Sequence, residues 1–122
     1  MAGCSACRPR TYMKRGDIYT ASLDPTVGHE QRGHRPLLVV STEEFNRATR
    51  LPVVLPITTG GSFARRLGYA VSLHDSGLQT LGVVRCDQPR VVDLIERRAK
   101  FVERLDGPLL EEILDRVADL FN

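Results

Sequence analysis

A single long helical stripe closes the sequence and limits the folds open to the chain. Leu109, Leu110, Ile113, Leu114, Val117, Leu120 and Phe121 recur at spacings of three and four, the pattern of a helix with one apolar side. Asp106-Gly107-Pro108 starts it, and Glu111 and Glu112 sit near the positive end of its dipole. Such a stripe must be buried against something, and every other apolar run in the chain is short. Asp17 to Leu23 alternates, with Tyr19, Ala21 and Leu23 on one face. Pro36 to Val40, Val53 to Thr58, Tyr69 to Leu73, Gly82 to Asp87 and Ala99 to Leu105 read as further strands. Pro56 inside the third of these runs predicts an edge position or a bulge. Ser41-x-x-Glu44 reads as a capping box that opens a short helix over Glu43 to Thr49. Five or six short strands, one short internal helix and one C-terminal helix predict an α+β fold, a small curled β-barrel on which the last helix packs.

The chain has 122 residues, which bounds it to one domain. Residues 1 to 12 carry no periodicity and read as a disordered leader, with Met13 a possible start, ahead of one domain over residues 13 to 122. No apolar run approaches the roughly 18 residues of a membrane span, and the N-terminus has no apolar signal-peptide stretch. Three cysteines form no disulfide framework and fit a reducing compartment, so the expectation is a cytoplasmic protein with no membrane partner. The formal net charge is only +2, but it is unevenly placed. Residues 1 to 105 hold sixteen cations beside ten acids, whereas the last 17 residues hold one cation and five acids. Fifteen of the cations are Arg, the side chain whose planar fork matches a phosphate.

Two segments carry groups with chemical potential. In Arg85-Cys86-Asp87, strand alternation puts Arg85 and Asp87 on one face, about 6 to 7 Å apart at the backbone, and Cys86 on the other. The pair is either a surface ion pair or a proton acceptor beside a cation able to stabilise phosphate charge, with Cys86 a core thiol. The loop Gly28-His29-Glu30-Gln31-Arg32-Gly33-His34-Arg35 is either solvated or a cluster of binding groups on a rigid scaffold. Cys4-x-x-Cys7 is half a zinc site without a second half, and His29 and His34 match no common metal spacing. Phosphate-binding and dinucleotide-binding glycine motifs are absent from the sequence, so the expectation is no cofactor and no metal.

Longer strings then become informative. Lys14-Arg15-Gly16-Asp17-Ile18-Tyr19, Leu23-Asp24-Pro25-Thr26, Gly28-His29-Glu30-Gln31 and Arg35-Pro36 resemble the opening of the MazF/PemK (Kid) toxins of toxin–antitoxin modules. The resemblance continues through Phe45-Asn46-Arg47, Leu51-Pro52-Val53-Val54, Thr58-Thr59-Gly60-Gly61 and Gly82-Val83-Val84-Arg85-Cys86-Asp87-Gln88-Pro89-Arg90, over about residues 13 to 121. The Arg-x-Asp strand and the Gly-His-Glu-Gln loop point to the Kid/PemK branch.

The resemblance implies an SH3-like curled barrel assembled as a homodimer. It implies a toxin that cleaves single-stranded mRNA sequence-selectively and blocks translation. The reaction it implies needs no metal: 2′-hydroxyl attack leaves a 2′,3′-cyclic phosphate and a 5′-hydroxyl. The implied partners are the RNA, a cognate antitoxin that inhibits the enzyme, and operator DNA bound only by the toxin–antitoxin complex. By the same resemblance Asp87 is the base, Arg85 stabilises charge at the leaving oxygen, and His29 holds the phosphate, with Arg35 and Thr58 in support. Asp17, Thr59, Leu67, Tyr69, Leu81 and Val83 match positions along the RNA path, Tyr69 being suited to stacking a base. Asp17 stands where the branch has Glu, and Leu81 where it has Thr, so cleavage preference is what the resemblance transfers least. A non-catalytic poison of related fold, like the CcdB gyrase inhibitors, is the alternative, and a degenerate member that only binds RNA or antitoxin is a third. The CcdB-like poison needs neither the Arg-x-Asp pair nor the loop His, so their presence favours the nuclease. The cations Arg35, Arg65, Arg66 and Arg85 would then gather at the RNA groove, away from the acidic last helix.

Overall fold

A computed structural model describes residues 13–22, 34–59 and 68–121. The elements run β1 (Asp17–Ser22), β2 (His34–Val39), α1 (Glu43–Thr49), β3 (Val53–Thr58), β4 (Ala70–Ser72), β5 (Val83–Arg85), β6 (Arg90–Val91), β7 (Lys100–Arg104) and α2 (Pro108–Ala118), with a 3-10 turn over Asp119–Phe121. The strands form one sheet in the order β4-β5-β3-β2-β1-β7, with β6 on β3, and all registered pairs are antiparallel. This is the expected α+β arrangement. The sheet has seven strands rather than five or six, because the two-residue β6 is too short to leave a pattern in the sequence.

Pleat alternation sorts the apolar side chains into two cores. Ile18, Leu38, Leu55, Ile57, Val71, Val84 and Cys86 line one face, where Leu110 and Ile113 of α2 close over them. Tyr19, Ala21, Leu37, Val39 and Val54 line the other, covered by Met13, Val92 and Leu94. The apolar stripe predicted to run to Phe121 stops earlier. The α-helix ends at Ala118, and Phe121 in the 3-10 turn is 78% exposed.

Pro56 is not at an edge. It pairs with Leu37 of β2, while on its other flank β3 meets β5 at residues 57 and 58 and β6 at residues 53 and 54. Positions 55 and 56 face the gap between those two strands, where a missing N–H breaks no registered pair.

The predicted capping box also needs correction. Thr42, with extended backbone, is the N-cap and accepts from the Phe45 N–H at 3.2 Å. Ser41 instead joins a buried network around Asn46. Its hydroxyl donates to Asn46 Oδ1 at 2.5 Å and accepts from the Val53 N–H at 2.8 Å. The Asn46 amide donates to the carbonyls of Met13 at 2.6 Å and Ser41 at 3.2 Å. Helix α1 is thereby tied to the segment entering β1 and to the start of β3. Replacing Asn46 with Ala leaves these groups unpaired in a dry site and is expected to cost about 2 to 3 kcal/mol, read as a lower urea midpoint.

The two ends of the sheet are drawn together by Glu103. Its carboxylate, on the edge strand β7, accepts from the N–H groups of Gln79 and Thr80 and from the Thr80 hydroxyl, in the connection between β4 and β5. The sheet is therefore curled rather than flat. No helix among the described residues is long and apolar enough to cross a membrane.

Candidate active site at the end of strand β5

Strand β5 builds the centre of the site. Val84 points into the core beneath α2, so Arg85 emerges on the opposite face; the strand ends at Arg85, and Cys86 and Asp87 lie in a turn closed by the Gln88 N–H donating to the Arg85 carbonyl at 3.2 Å, with Cys86 still in the core. The strand expected to run from Gly82 to Asp87 is therefore shorter, and it is the turn after Arg85 that brings the two side chains into contact. Arg85 Nε donates to Asp87 Oδ1 at 2.9 Å and Nη2 to Oδ2 at 2.8 Å, a two-pronged pair with the side chains 20% and 30% exposed. Hydrogen bonding to Arg85 holds the Asp87 carboxyl below its ordinary range, against a smaller opposing effect of burial. The same bond raises the Arg85 pKa further above its ordinary value, so the guanidinium keeps its proton and acts as a fixed cation. Cys86 is fully buried and burial pushes its thiol up to about 12, which fits the core role expected of it.

Thr58 lies on the neighbouring strand, registered against Val83. Its parity puts it on the same face as Arg85, and its buried hydroxyl has no hydrogen-bond partner among the described residues. A buried hydroxyl left without a partner is costly, and this one is on the strand paired with β5. Arg35 is exposed on β2, opposite Ala21, and the alternation of β2 assigns it to this face too. Val83 is buried at 6% and forms floor rather than rim, whereas Leu81 is 72% exposed. Thr59 is exposed at the end of β3. Tyr69 is half-buried, and its carbonyl accepts from the Cys86 N–H at 2.8 Å, which locks it to the segment bearing Asp87.

Asp17 stands apart from this group. It is buried, its Oδ2 accepts from the Lys14 N–H at 3.0 Å and its Oδ1 from Arg104 Nη1 at 3.1 Å. Tyr19 beside it is raised above its ordinary pKa by burial first and by the Asp17 charge second. Both Asp17 oxygens are engaged by these bonds at the start of β1. His29, Leu67, Arg65, Arg66, Cys4 and Cys7 lie outside the described residues.

Two supporting residues carried no local signal in the sequence. Arg116 on α2 donates to the Gly68 carbonyl at 3.2 Å, 48 positions away, next to Tyr69. Glu103 bonds Thr80 across 23 positions, next to Leu81. Each is an ordinary charge in its own segment and gains meaning only once the chain is folded.

Comparisons with known proteins identify the family. Residues 14–121 match the family model described as PemK-like, MazF-like toxin of type II toxin-antitoxin system. The chain is 52% identical over 113 residues to the endoribonuclease PemK of Escherichia coli, covering 93% of this chain and 85% of that protein. It is 41% identical over 109 residues to the endoribonuclease toxin ChpB of Escherichia coli K12, covering 88% and 93% respectively. Among solved structures, MazE-MazF (Form-II) from Deinococcus radiodurans superposes with a TM-score of 0.75 at 29% identity, over 89% of this chain and 95% of that one. MazF (Form-I) from the same organism gives 0.71 at 30% identity, over 88% and 94%. Fold and sequence match over nearly the same residues, and the chain belongs to the PemK-like, MazF-like toxins of type II toxin–antitoxin systems.

Proposed function

We propose that this chain is an endoribonuclease toxin that cleaves single-stranded mRNA sequence-selectively and without a metal ion. The observation that carries the reading is the two-pronged Arg85–Asp87 pair, with the unpartnered hydroxyl of Thr58 on the strand paired with β5. Asp87 takes the proton of a ribose 2′-hydroxyl, and the 2′-oxygen forms a bond to the adjacent phosphorus. The bond from phosphorus to the 5′-oxygen breaks, and that oxygen takes a proton from water. The products are a 2′,3′-cyclic phosphate and a 5′-hydroxyl. Arg85 stabilises the charge that grows on the phosphorane and the leaving oxygen.

In the resting pair Arg85 lowers the basicity of Asp87. A phosphate that takes over part of the guanidinium fork releases Asp87 and raises its basicity, so the substrate arms its own base. His29 is assigned to hold the phosphate and Arg35 and Thr58 to support it. Thr59, Leu67, Tyr69, Leu81 and Val83 follow the RNA. Asp17 serves the path only by shaping β1.

The relatives' MazE complexes support a second partner, a cognate antitoxin that inhibits the enzyme. The edge strands β4 and β7, with Phe101 of β7 exposed, support a homodimer whose two sheets make a longer groove. Operator DNA is assigned to the toxin–antitoxin complex alone.

The test is direct. Purified protein is incubated with a long single-stranded RNA in EDTA, and the fragment ends are identified by their sensitivity to phosphatase and kinase. Discrete cuts with cyclic phosphate and 5′-hydroxyl ends are expected. An intact RNA would sink the nuclease reading and favour the non-catalytic poison.

A further inference from the structure

We propose that Glu103 is a specificity-determining positioning residue, a latch on β7 that fixes how Leu81 is presented to the RNA base at the cleavage site. The proposal rests on the nuclease reading above.

An exposed leucine by itself means little; what matters here is how firmly its neighbours are held. On one side Thr80 is buried, and its N–H and hydroxyl both donate to Glu103 Oε2, at 2.7 Å and 2.6 Å. The Gln79 N–H donates to Oε1 at 3.0 Å, so both carboxylate oxygens are engaged on residues 79 and 80. On the other side Gly82 has φ +126°, and a Cβ there would lie 2.6 Å from the Thr58 carbonyl oxygen. The Gly82 carbonyl in turn accepts from the Leu73 N–H at 2.9 Å.

Leu81 is therefore a single outward residue between two fixed points, one tied to the far edge of the sheet and the other pressed against the strand that carries Thr58. Val83 and Arg85 follow at once on β5. Burial pushes the Glu103 carboxyl up, but the Thr80 hydroxyl and the N–H groups of Gln79 and Thr80 outweigh it and hold the group below its ordinary pKa. The latch is thus charged at neutral pH, and its three bonds are of the stronger, charge-assisted kind. An apolar side chain held this way can discriminate bases by shape and by refusing hydrogen bonds, and slack in it costs discrimination before it costs chemistry.

The test uses Glu103→Gln, whose amide nitrogen cannot accept from the donors it would meet, and Thr80→Val, which removes only the hydroxyl bond at nearly constant shape. A pool of single-stranded RNA with randomised sequence is digested by the wild type and each variant, and the new 5′ ends are sequenced. Both variants are expected to keep cutting, with the preference for the favoured sequence over the next falling about tenfold. Leu81→Ala should alter the preference in the same direction, and adding Glu103→Gln to it should change nothing further. Melting curves run in parallel show whether each variant is folded, and Thr80→Val carries the test if Glu103→Gln is not. A folded variant that cuts more slowly but with the wild-type preference would overturn the latch and leave Glu103 a purely structural tie. A wild type that cuts no RNA would overturn the nuclease reading itself, and the latch with it.

Discussion

Asp87→Asn is expected to reduce RNA cleavage by about 10²- to 10⁴-fold, the usual contribution of a positioned general base, while the protein stays folded. The substitution keeps the shape of the side chain and removes its capacity to take the 2′-hydroxyl proton. Stability should change little, because the carboxylate is partly exposed and an ion pair in that setting is worth about 0 to 1 kcal/mol. Arg85→Lys should be nearly as damaging. It keeps the charge but loses the fork that grips both Asp87 oxygens at 2.9 Å and 2.8 Å.

The pH profile separates this chemistry from an idle ion pair. Hydrogen bonding to Arg85 depresses Asp87 in the free enzyme. The base is therefore already deprotonated throughout the ordinary carboxylate range, and the acid limb of kcat/KM must fall below that range. Once a phosphate competes for the guanidinium the depression is relieved, and the acid limb of kcat should lie at higher pH than that of kcat/KM. For stability the sign is the same. A carboxylate depressed on folding stabilises the native state above its unfolded pKa and loses that contribution as the pH falls through the folded value. Full cleavage by Asp87→Asn, or acid limbs that coincide, would remove Asp87 from the base role.

How much of this was legible in the sequence depends on the distance over which each feature is decided. Arg85 and Asp87 do meet, but the strand expected to carry both ends at Arg85, and a turn brings the carboxylate to the guanidinium. Local alternation does account for the split of Tyr19 and Ala21 from Ile18, and helical spacing for the amphipathic side of α2 through Val117. Pro56 read as an edge because a ladder position cannot lack a donor, yet the strand it faces breaks between β5 and β6, and nothing near Pro56 encodes that break. Ser41 and Asn46 are polar residues in or beside a short helix. Their network depends on Met13 arriving from 33 positions away. Asp17 matched an RNA-path position, and in the fold it is paired with Arg104, which comes from 87 positions away. Local pattern fixes which face a side chain takes; the partners that decide whether it is free to act come from remote segments.

Gly16→Ala is expected to be the most destabilising small substitution in the chain. Gly16 lies where three segments meet. Its N–H donates to the Val39 carbonyl at the end of β2, and its carbonyl accepts from the Leu105 N–H leading into α2, each at 2.8 Å. Its φ is +100°, and a Cβ would lie 2.3 Å from the Leu105 carbonyl oxygen and 3.3 Å from a Leu110 methyl. The first contact is with backbone and cannot be relieved by turning a side chain. Relief therefore means separating β1 from the segment that carries α2 onto the core, in addition to about 1 to 3 kcal/mol for the strained backbone conformation. The sum is expected to reach about 4 to 5 kcal/mol, a large share of the roughly 5 to 15 kcal/mol that holds a domain together. Gly77 supplies the control, because its φ is +86° and a Cβ there meets nothing within 4 Å. Gly77→Ala carries the conformational cost alone, about 1 to 2 kcal/mol, so the difference between the two urea midpoints isolates the crowding at the junction. Equal midpoints would show that the backbone at residue 16 has room to yield, and that α2 is not held to the sheet through this contact.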